Sequence, residues 1–391
     1  MNRAGKIRRY ILREERGGGG FIFDRETGQA EAILPEDMAS KKQRSEIDII
    51  PLVENAPLRA RAAPFCLWFE LTRRCNLKCD YCGQPDVIGS QELPVSELRC
   101  MFEAFAICGV FEIRFTGGEP TIRQDFTDIV ESASGAGLFV SVNTNGVIST
   151  DRLDQMLLLP ISLYIVSLDG PSDVHNSIRK TNSYKNTIRT IKKLVASGKR
   201  VRINTILTRE NKRCLSQFVG ELESLGVEAL TLIPLRPAGR AKKEFRHKQL
   251  TSQELSILLD EVQTLRSTTS LEIAASYDLM SEGKIFNTPS YFTKRCVAGV
   301  EAACIAPNGE LRACILLDDE SYVIGRLTET SFQQLWADDR RWGIFRDESR
   351  LSQRCKACKF FSSQCPGTCQ VISSYFDSPE VDPYCQLVHT G

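Results

Sequence analysis

LWFELTRRCNLKCDYC, residues 67–82, joins an apolar run typical of a buried strand to a short segment with three cysteines. Cys75, Cys79 and Cys82 follow a CxxxCxxC spacing. A tetrahedral metal ion takes four ligands, and a four-iron cluster takes one protein ligand on each iron. Four protein ligands are therefore usual for both. No further Cys or His lies within a dozen residues downstream. The sequence therefore predicts a metal centre whose fourth position is filled by something other than a nearby side chain.

Apolar runs and amphipathic segments alternate on both sides of this stretch. The predicted strands are 67–71, 111–116, 138–144, 162–169, 200–208 and 228–234. The predicted helices are 96–109, 126–137, 151–159, 184–198, 214–226 and 252–267. Six strands separated by helices indicate repeated βαβ units, and hence an α/β fold with a parallel sheet curled as an open or closed barrel. Active sites of such barrels form where strands end, which is where the cysteine segment begins.

Composition limits the possible partners of the chain. The 391 residues are 42% hydrophobic and 25% charged, with a formal net charge of +1. This balance gives no global field toward nucleic acid or membranes, and the chain has no apolar run of transmembrane length and no signal-peptide core. We therefore predict a cytoplasmic protein that binds neither nucleic acid nor membrane.

The fifteen cysteines are unevenly distributed. Because the cytosol keeps thiols reduced, a disulfide scaffold is disfavoured, and clustered cysteines indicate metal ligation. Three lie at 75–82 and eight lie between 296 and 385. The others, Cys66, Cys100, Cys108 and Cys214, are interpreted as small buried hydrophobic side chains.

The three-cysteine loop, followed by FTGGEP (115–120) after the second strand, resembles the radical S-adenosylmethionine (radical SAM) family. The resemblance implies a partial (β/α)6, TIM-like radical SAM barrel. It also implies that Cys75, Cys79 and Cys82 hold a 4Fe–4S cluster whose fourth iron binds S-adenosylmethionine. In that family the cosubstrate is reductively cleaved to a 5′-deoxyadenosyl radical, which abstracts hydrogen from an inert C–H bond. The alternative for the three cysteines is a three-ligand zinc site.

The same resemblance assigns cofactor roles to the TGGEP segment. Gly117 and Gly118 would let the backbone approach the cosubstrate closely, because glycine lacks a Cβ. Glu119 and the adjacent carbonyls would accept hydrogen bonds from its ammonium group. The alternative interpretation is a tight turn before a helix.

Further cofactor residues are implied elsewhere in the barrel. Ser167 would contact the ribose or carboxylate of the cosubstrate, Arg179 would pair with the carboxylate, and Tyr81 would lie near the adenine. Asp169 is a weaker candidate because Asp before Gly often forms a turn. A structural role is favoured for Asn145. The same role is favoured for His175, and the loop 233–241 is expected near the adenine.

The C-terminal cysteines resemble a SPASM domain, although CKACKFFSSQCPGTC has one residue more than the usual spacing. By that resemblance, auxiliary cluster I takes Cys296, Cys314 and Cys369, with Cys304 as the candidate fourth ligand. Without Cys304 the first cluster would offer an open iron to substrate. Auxiliary cluster II takes Cys355, Cys358, Cys365 and Cys385. Structural zinc in one or both sites is the alternative.

These patterns divide the chain into an N-terminal extension (1–66), the barrel (67–290) and a Cys-rich iron–sulfur domain (291–391). The extension is predicted to contain a β-hairpin and a linker. Six basic residues in its first sixteen suggest two alternatives. The hairpin either captures an acidic leader peptide by strand addition or caps the barrel.

SPASM proteins mostly modify peptides, and the predicted function is therefore oxidative modification of a peptide by cross-linking, decarboxylation or epimerisation. Such an enzyme would need an electron donor such as flavodoxin or ferredoxin, and its auxiliary clusters would accept the electron left over. The residue after Cys314 is Ile315, whereas sulfatase-maturing enzymes have an Asp there that acts as a base. A tetrapyrrole or another small molecule is the alternative substrate, and a non-catalytic zinc scaffold is the alternative of another class.

Overall fold

The computed structural model describes residues 7–84, 91–276, 296–361, 365–380 and 382–385. The predicted boundary between barrel and C-terminal domain at residue 290 lies outside the described residues, as do Arg3 and Lys6 of the basic N-terminus. Among the helices of the described residues, none has both the length and the apolar character needed to cross a bilayer.

The secondary structure falls into three consecutive sets. The first set is β1 Tyr10–Glu14, β2 Gly20–Asp24, β3 Ala30–Ile33, α1 Met38–Lys42 and β4 Ile47–Ile50. The second set is β5 Cys66–Thr72, α2 Val95–Cys108, β6 Glu112–Gly117, α3 Phe126–Gly135, β7 Phe139–Thr144, α4 Thr150–Leu158, β8 Leu163–Ser167, α5 Ser172–Arg179, α6 Tyr184–Ala196, β9 Val201–Leu207, α7 Leu215–Leu225, β10 Ala229–Pro234, α8 Ala241–Lys248, α9 Ser252–Thr268 and β11 Glu272–Ala275. The third set is β12 Ala302–Ile305, β13 Glu310–Arg312, β14 Val323–Arg326, α10 Phe332–Ala337, α11 Asp339–Arg346, α12 Gln353–Lys356 and α13 Gln370–Phe376.

Strands β5 to β11 lie side by side in chain order, and each pairs in parallel with the next. This confirms the predicted α/β class and all six predicted strands. Two further parallel strands were not predicted. They are β11 and β12, of which β12 extends the sheet on the far side of β5. Both are four residues long and rich in alanine, so neither carries the β-branched signal of a longer strand.

The strands bury both of their faces. In β5 the side chains of Leu67, Phe69 and Leu71 belong to the main hydrophobic core. Trp68 and Glu70 project to the opposite face, because neighbouring side chains of a strand alternate. The polar residues of the sheet thus share one face, toward the interior of the barrel, while the apolar ones pack under the helices.

The predicted N-terminal hairpin is part of a four-stranded sheet with the order β3-β2-β1-β4. Strands β1 and β2 pair antiparallel, and the short strand β4 pairs in parallel with β1. Phe21 and Phe23 share a hydrophobic cluster with Phe65, Phe111 and Phe139, which stand at the beginnings of three barrel strands. The sheet therefore covers the end of the barrel opposite the cysteine loop.

The N-terminal arginines hold this sheet in place. Arg13 is almost fully buried, and it donates to the carbonyls of Pro64 and Gly109. Arg9 pairs with Asp24, while Arg16 donates to backbone carbonyls of residues 56 and 57. Because these guanidinium groups are engaged within the chain, the structure favours the capping alternative over capture of an acidic leader by charge.

The third set of elements forms the Cys-rich domain, which is joined to the barrel sheet through β12, β13 and β14. Buried Arg346 lies between the rings of Trp336 and Trp342 at 4.6 and 4.7 Å and donates to the carbonyl of Gly299. This packing ties α10 and α11 to the segment after Cys296. The C-terminal cysteines are therefore presented by a domain continuous with the barrel.

Candidate active site

A cavity of about 280 Å³ lies at the carboxyl ends of the barrel strands. It is lined by Cys75, Leu77, Cys79, Tyr81, Cys82, Gly83, Thr116, Gly117, Gly118, Asn143, Thr144, Asn145, Ser167, Arg179, Ile206, Ile233, Pro234, Leu235, Arg236 and Leu316. The lining brings together the three clustered cysteines and the cofactor residues named from the sequence, except Glu119 and the weaker candidate Asp169. Residues from five strand ends thus converge on one cavity.

The cysteine loop is held by the segment that follows β10. The Nε of Arg240 donates to the carbonyl of Cys79 at 3.0 Å, and the amide of Ala241 donates to that of Cys82 at 3.4 Å. A Cβ on Gly239 would lie 2.7 Å from the oxygen of Cys82, so only glycine permits this approach. The loop 233–241, expected near an adenine, therefore also holds the cysteine loop in place.

The glycine pair meets the backbone that leads to the cysteines. Gly117 has a φ of 125°, and a Cβ there would lie 2.2 Å from the carbonyl oxygen of Thr72. A Cβ on Gly118 would lie 2.0 Å from the oxygen of Arg74. The amide of Gly118 donates to Thr72 at 2.7 Å. Both glycines border the cavity, but a side chain at either position would first collide with the backbone of Thr72 or Arg74.

Glu119 has a different environment from the one implied by the family resemblance. Its side chain is fully buried, and it accepts hydrogen bonds from Thr121 Oγ1 at 2.6 Å, Thr144 Oγ1 at 2.9 Å and the amide of Asn145 at 2.8 Å. Burial raises the pKa of Glu119 despite these donors. In the structure this carboxylate joins the ends of β6 and β7 and does not line the cavity.

Asp169, which was the weaker candidate from the sequence because Asp before Gly often forms a turn, is central to the site. Its Oδ2 accepts from Tyr81 Oη at 2.6 Å and from Arg179 Nε at 2.8 Å, and its Oδ1 accepts from the amide of Ile206 at 3.1 Å. Burial acts to lower the pKa of Arg179, but the Asp169 carboxylate raises it above the ordinary value. Asp169 therefore fixes two cavity residues and balances the charge of the buried guanidinium. Ser167 lies two residues earlier, on the cavity wall.

His175 is fully buried beside this group. Its Nδ1 accepts from the amide of Asp169 at 3.2 Å, and its Nε2 lies 3.0 Å from Ser183 Oγ. Burial, with Arg179 nearby, lowers the pKa of His175 to about 4. The imidazole is therefore neutral at pH 7, and it holds the backbone of Asp169 through this hydrogen bond.

The neutral state of His175 predicts a pH dependence of stability. An unfolded histidine binds its proton near pH 6.5, whereas the folded one binds it near pH 4, so the folded state loses stability as the pH falls between these values. The loss should reach roughly 3 kcal/mol at pH 4. His175→Asn, which retains an acceptor for the Asp169 amide, should remove this dependence in urea unfolding measured from pH 4 to 7. The exposed His247→Asn is the control. A His175→Asn curve parallel to that of the unaltered protein would contradict the prediction.

The eight C-terminal cysteines form two groups in the structure. Burial raises the pKa of Cys314 to about 12, and Cys369 and Cys296 lie close enough to raise it further. Burial likewise raises the pKa of Cys304, with contributions from Glu70 and Cys314. These four residues are the set that the sequence grouped as auxiliary cluster I.

The second group surrounds Cys365. Burial raises the pKa of this thiol to about 11, and Cys385 and Cys355 act in the same direction. Cys355 lies on α12, and the amide of Cys358 donates to its carbonyl at 3.1 Å. Cys355, Cys358, Cys365 and Cys385 are the set that the sequence grouped as auxiliary cluster II.

An ion-pair chain joins the cysteine loop to the hairpin that carries Cys314. Arg73 donates to Asp318 at 2.9 Å, and Asp318 also pairs with Arg312. Leu316, between Cys314 and Asp318, completes the cavity wall. Asp318 is thus engaged by two arginines, and the residue directly after Cys314 is Ile315. The position that holds an Asp base in sulfatase-maturing enzymes is therefore occupied by an apolar side chain here.

The donor set suits iron–sulfur clusters. The eleven candidate ligands are all cysteine thiols, which are the ligands that hold such clusters. A four-iron cluster places each thiolate on a different iron, so its cysteines surround a larger volume than the ligands of a single metal ion do.

Among the scattered cysteines, Cys66 is buried as predicted, whereas the prediction for Cys100 was wrong because it is exposed on α2.

Two family models match the chain. Residues 69–222 match the radical SAM superfamily, and residues 296–359 match SPASM, an iron–sulfur cluster-binding domain. The first match spans β5 to α7, and therefore the cysteine loop and most of the cavity. The second spans five of the eight C-terminal cysteines and ends shortly before the last three.

Individual proteins are similar over most of the chain. AdoMet-dependent heme synthase of Oleidesulfovibrio alaskensis is 27% identical over 319 residues, which cover 76% of this chain and 81% of that protein. Mycofactocin maturase MftC of Mycobacterium tuberculosis is 28% identical over 360 residues, covering 85% of each. The crystal structure of Streptococcus suis SuiB bound to precursor peptide SuiA superposes with a TM-score of 0.76 at 16% identity. It covers 99% of this chain and 100% of SuiB, which shows a common fold.

Proposed function

Because the chain is a radical SAM enzyme with a SPASM domain, we propose that it abstracts hydrogen from a residue of a peptide and so begins an oxidative modification of that peptide. The family models confirm both resemblances drawn from the cysteine spacings. The modification would be a cross-link, a decarboxylation or an epimerisation. We also propose that the chain is divided into an N-terminal extension (1–66), a barrel (67–290) and a Cys-rich domain (291–391).

The cofactors are 4Fe–4S clusters and S-adenosylmethionine. We assign Cys75, Cys79 and Cys82 to the cluster that binds the cosubstrate, because all three line one cavity. When S-adenosylmethionine is bound to that cluster, its reductive cleavage would supply a 5′-deoxyadenosyl radical. Cys296, Cys304, Cys314 and Cys369 would hold auxiliary cluster I, and Cys355, Cys358, Cys365 and Cys385 would hold auxiliary cluster II. In this assignment Cys304 is a ligand, because it is buried close to Cys314.

The protein's own side chains orient the cosubstrate and shield it from water. Arg179 is a cation held in place by Asp169 and borders the cavity, so we assign it to the carboxylate of the cosubstrate. Tyr81, fixed by the same aspartate, presents its ring for the adenine, and Ser167 presents a hydroxyl for the ribose or carboxylate. Gly117 and Gly118 contribute backbone groups near the ammonium.

The composition of the cavity wall carries the choice of a peptide. The wall also carries apolar side chains, among them Ile206, Ile233 and Leu316. Among the described residues that line the cavity, only Arg179 and Arg236 are cationic. A haem precursor bears several carboxylates and would require several cations, whereas Arg179 is already assigned to the carboxylate of the cosubstrate. An amino acid side chain of a peptide needs no such set.

The curated relatives support both candidate substrates to different extents. The mycofactocin maturase covers 85% of this chain, and the heme synthase covers 76%. The heme synthase is the observation that favours the second candidate, a propionate-bearing tetrapyrrole. For either substrate we propose flavodoxin or ferredoxin as the electron donor.

Anaerobic reconstitution with iron, sulfide and S-adenosylmethionine tests the function. The reduced enzyme would be offered, in separate reactions, a short peptide encoded beside its gene and a propionate-bearing iron porphyrin. We expect release of 5′-deoxyadenosine together with a changed peptide mass, and an unchanged porphyrin. Mass spectrometry of both substrates reads out the result.

The Cys79→Ala enzyme, which lacks one thiolate of the cavity, is the matched control and should leave both substrates unchanged. Oxidised or decarboxylated porphyrin with an unaltered peptide would replace the first candidate with the second. Bound zinc without 5′-deoxyadenosine release would overturn both and support the scaffold alternative.

A further inference from the structure

Asn145 directs an amide toward the sulfur of Cys75. It follows β7 directly, is 8% exposed, and lines the cavity. Its Nδ2 lies 3.7 Å from Cys75 Sγ and 2.8 Å from Asn76 Oδ1. The distance to sulfur suits an N–H···S hydrogen bond, which is longer than one to oxygen. Both hydrogens of this amide therefore have acceptors, and one of those acceptors is a cysteine of the cavity.

The surrounding hydrogen bonds fix the orientation of the amide. Asn145 Oδ1 accepts from the amide of Val147 at 2.8 Å, and a backbone N–H can only donate. The oxygen must therefore face Val147, which leaves Nδ2 facing Cys75. Asn76 is oriented in the same way, because its own Nδ2 donates to the carbonyl of Val147 at 2.8 Å. The direction of the N–H···S contact follows from the network.

The position of Asn145 is also rigid. Its backbone amide donates to Glu119 at 2.8 Å, and its carbonyl accepts from Thr187 Oγ1 at 3.0 Å. Glu119 is itself fully buried with further donors. The amide of Leu77 supplies a second donor to Cys75 at 3.4 Å. Cys75 thus receives one backbone and one side-chain donor, and the side-chain donor can be removed without changing the backbone.

We propose that Asn145 raises the reduction potential of the cluster held by Cys75, Cys79 and Cys82. A hydrogen bond to a cluster thiolate stabilises the added electron, and such bonds are among the factors that set cluster potentials. An enzyme that must accept an electron at this cluster gains from a donor placed on one of its ligands. Asn145 is then a positioning residue with an electrostatic effect. The inference depends on the cluster site assigned under the proposed function.

Two neutral variants remove the amide. Asn145→Leu deletes every polar atom of the side chain. Asn145→Ser keeps a short acceptor able to bond the amide two residues on, but it does not reach the sulfur. Asn143→Leu is the matched control, because Asn143 lies on β7 two residues before Asn145 and lines the same cavity, with no hydrogen bond to a cysteine among the described contacts. Iron content shows which variants retain their clusters.

A redox titration followed by EPR measures the midpoint potential of the signal that changes when S-adenosylmethionine is added. We expect a shift to more negative potential in Asn145→Ser and Asn145→Leu, and none in Asn143→Leu. If Asn145→Leu loses its cluster, Asn145→Ser decides. An unchanged or more positive potential in a cluster-bearing Asn145 variant would overturn the inference, as would an equal shift in Asn143→Leu. Absence of any responsive signal in the unaltered protein would instead refute the cluster site.

Discussion

Replacing Cys79 with alanine should abolish 5′-deoxyadenosine release and lower the iron content by about 4 atoms from about 12 per chain. The reason is that Cys79 lies on the loop that supplies all the cysteines of the cavity. With two thiolates left, a four-iron cluster would have two open irons and would not persist. Iron analysis and chromatography of the anaerobic reaction give both readouts.

The control for this experiment is Cys100→Ala. Cys100 is a free cysteine exposed on α2, and it lies outside the cavity lining. It should retain full iron content and unchanged 5′-deoxyadenosine formation. A Cys79→Ala protein with normal iron and turnover would show that the cluster lies elsewhere.

Asp169→Asn should have the second largest effect. It removes the carboxylate that accepts from both Tyr81 and Arg179, and it leaves a buried guanidinium without its counter-ion. Breaking a buried pair on one side costs about 3–5 kcal/mol, which we expect in the free energy of unfolding. Because Arg179 and Tyr81 border the cavity, affinity for S-adenosylmethionine should also fall by at least about tenfold, or 1.4 kcal/mol.

Denaturant unfolding and equilibrium binding of S-adenosylmethionine measure these two effects separately. Asp173→Asn, on the exposed side of α5, removes an equal charge only a short distance along the chain and should change neither quantity. Unchanged binding in a folded Asp169→Asn protein would contradict the role assigned to Arg179 and Tyr81.

The barrel was predictable because its signals are local. Long apolar strands and amphipathic helices repeat along the sequence, and the cysteine spacings are specific in themselves. The elements that were missed, such as β4, β11 and β12, have four residues each and owe their structure to the neighbouring strands with which they pair. Such short segments carry too little periodicity to be recognised alone.

Roles within the site were harder to predict than its membership. Asp169 and Asn145 look like turn residues in sequence, and Asn145 does accept from the amide two residues on. Their importance lies in partners far along the chain, such as Tyr81 and Cys75, which only the folded sheet brings near. Glu119 shows the reverse, because a motif that placed it near a cosubstrate does not reveal that four hydroxyl and amide donors of the chain surround it.

The vacant iron of the Cys75, Cys79 and Cys82 cluster is the central claim, and EPR of the dithionite-reduced full-length protein tests it most directly. Spectra would be recorded before and after addition of S-adenosylmethionine, for the unaltered protein and for Cys79→Ala. We expect one component to change on addition in the unaltered protein and none in the variant. Identical spectra with and without S-adenosylmethionine, or a change that persists in Cys79→Ala, would contradict the claim.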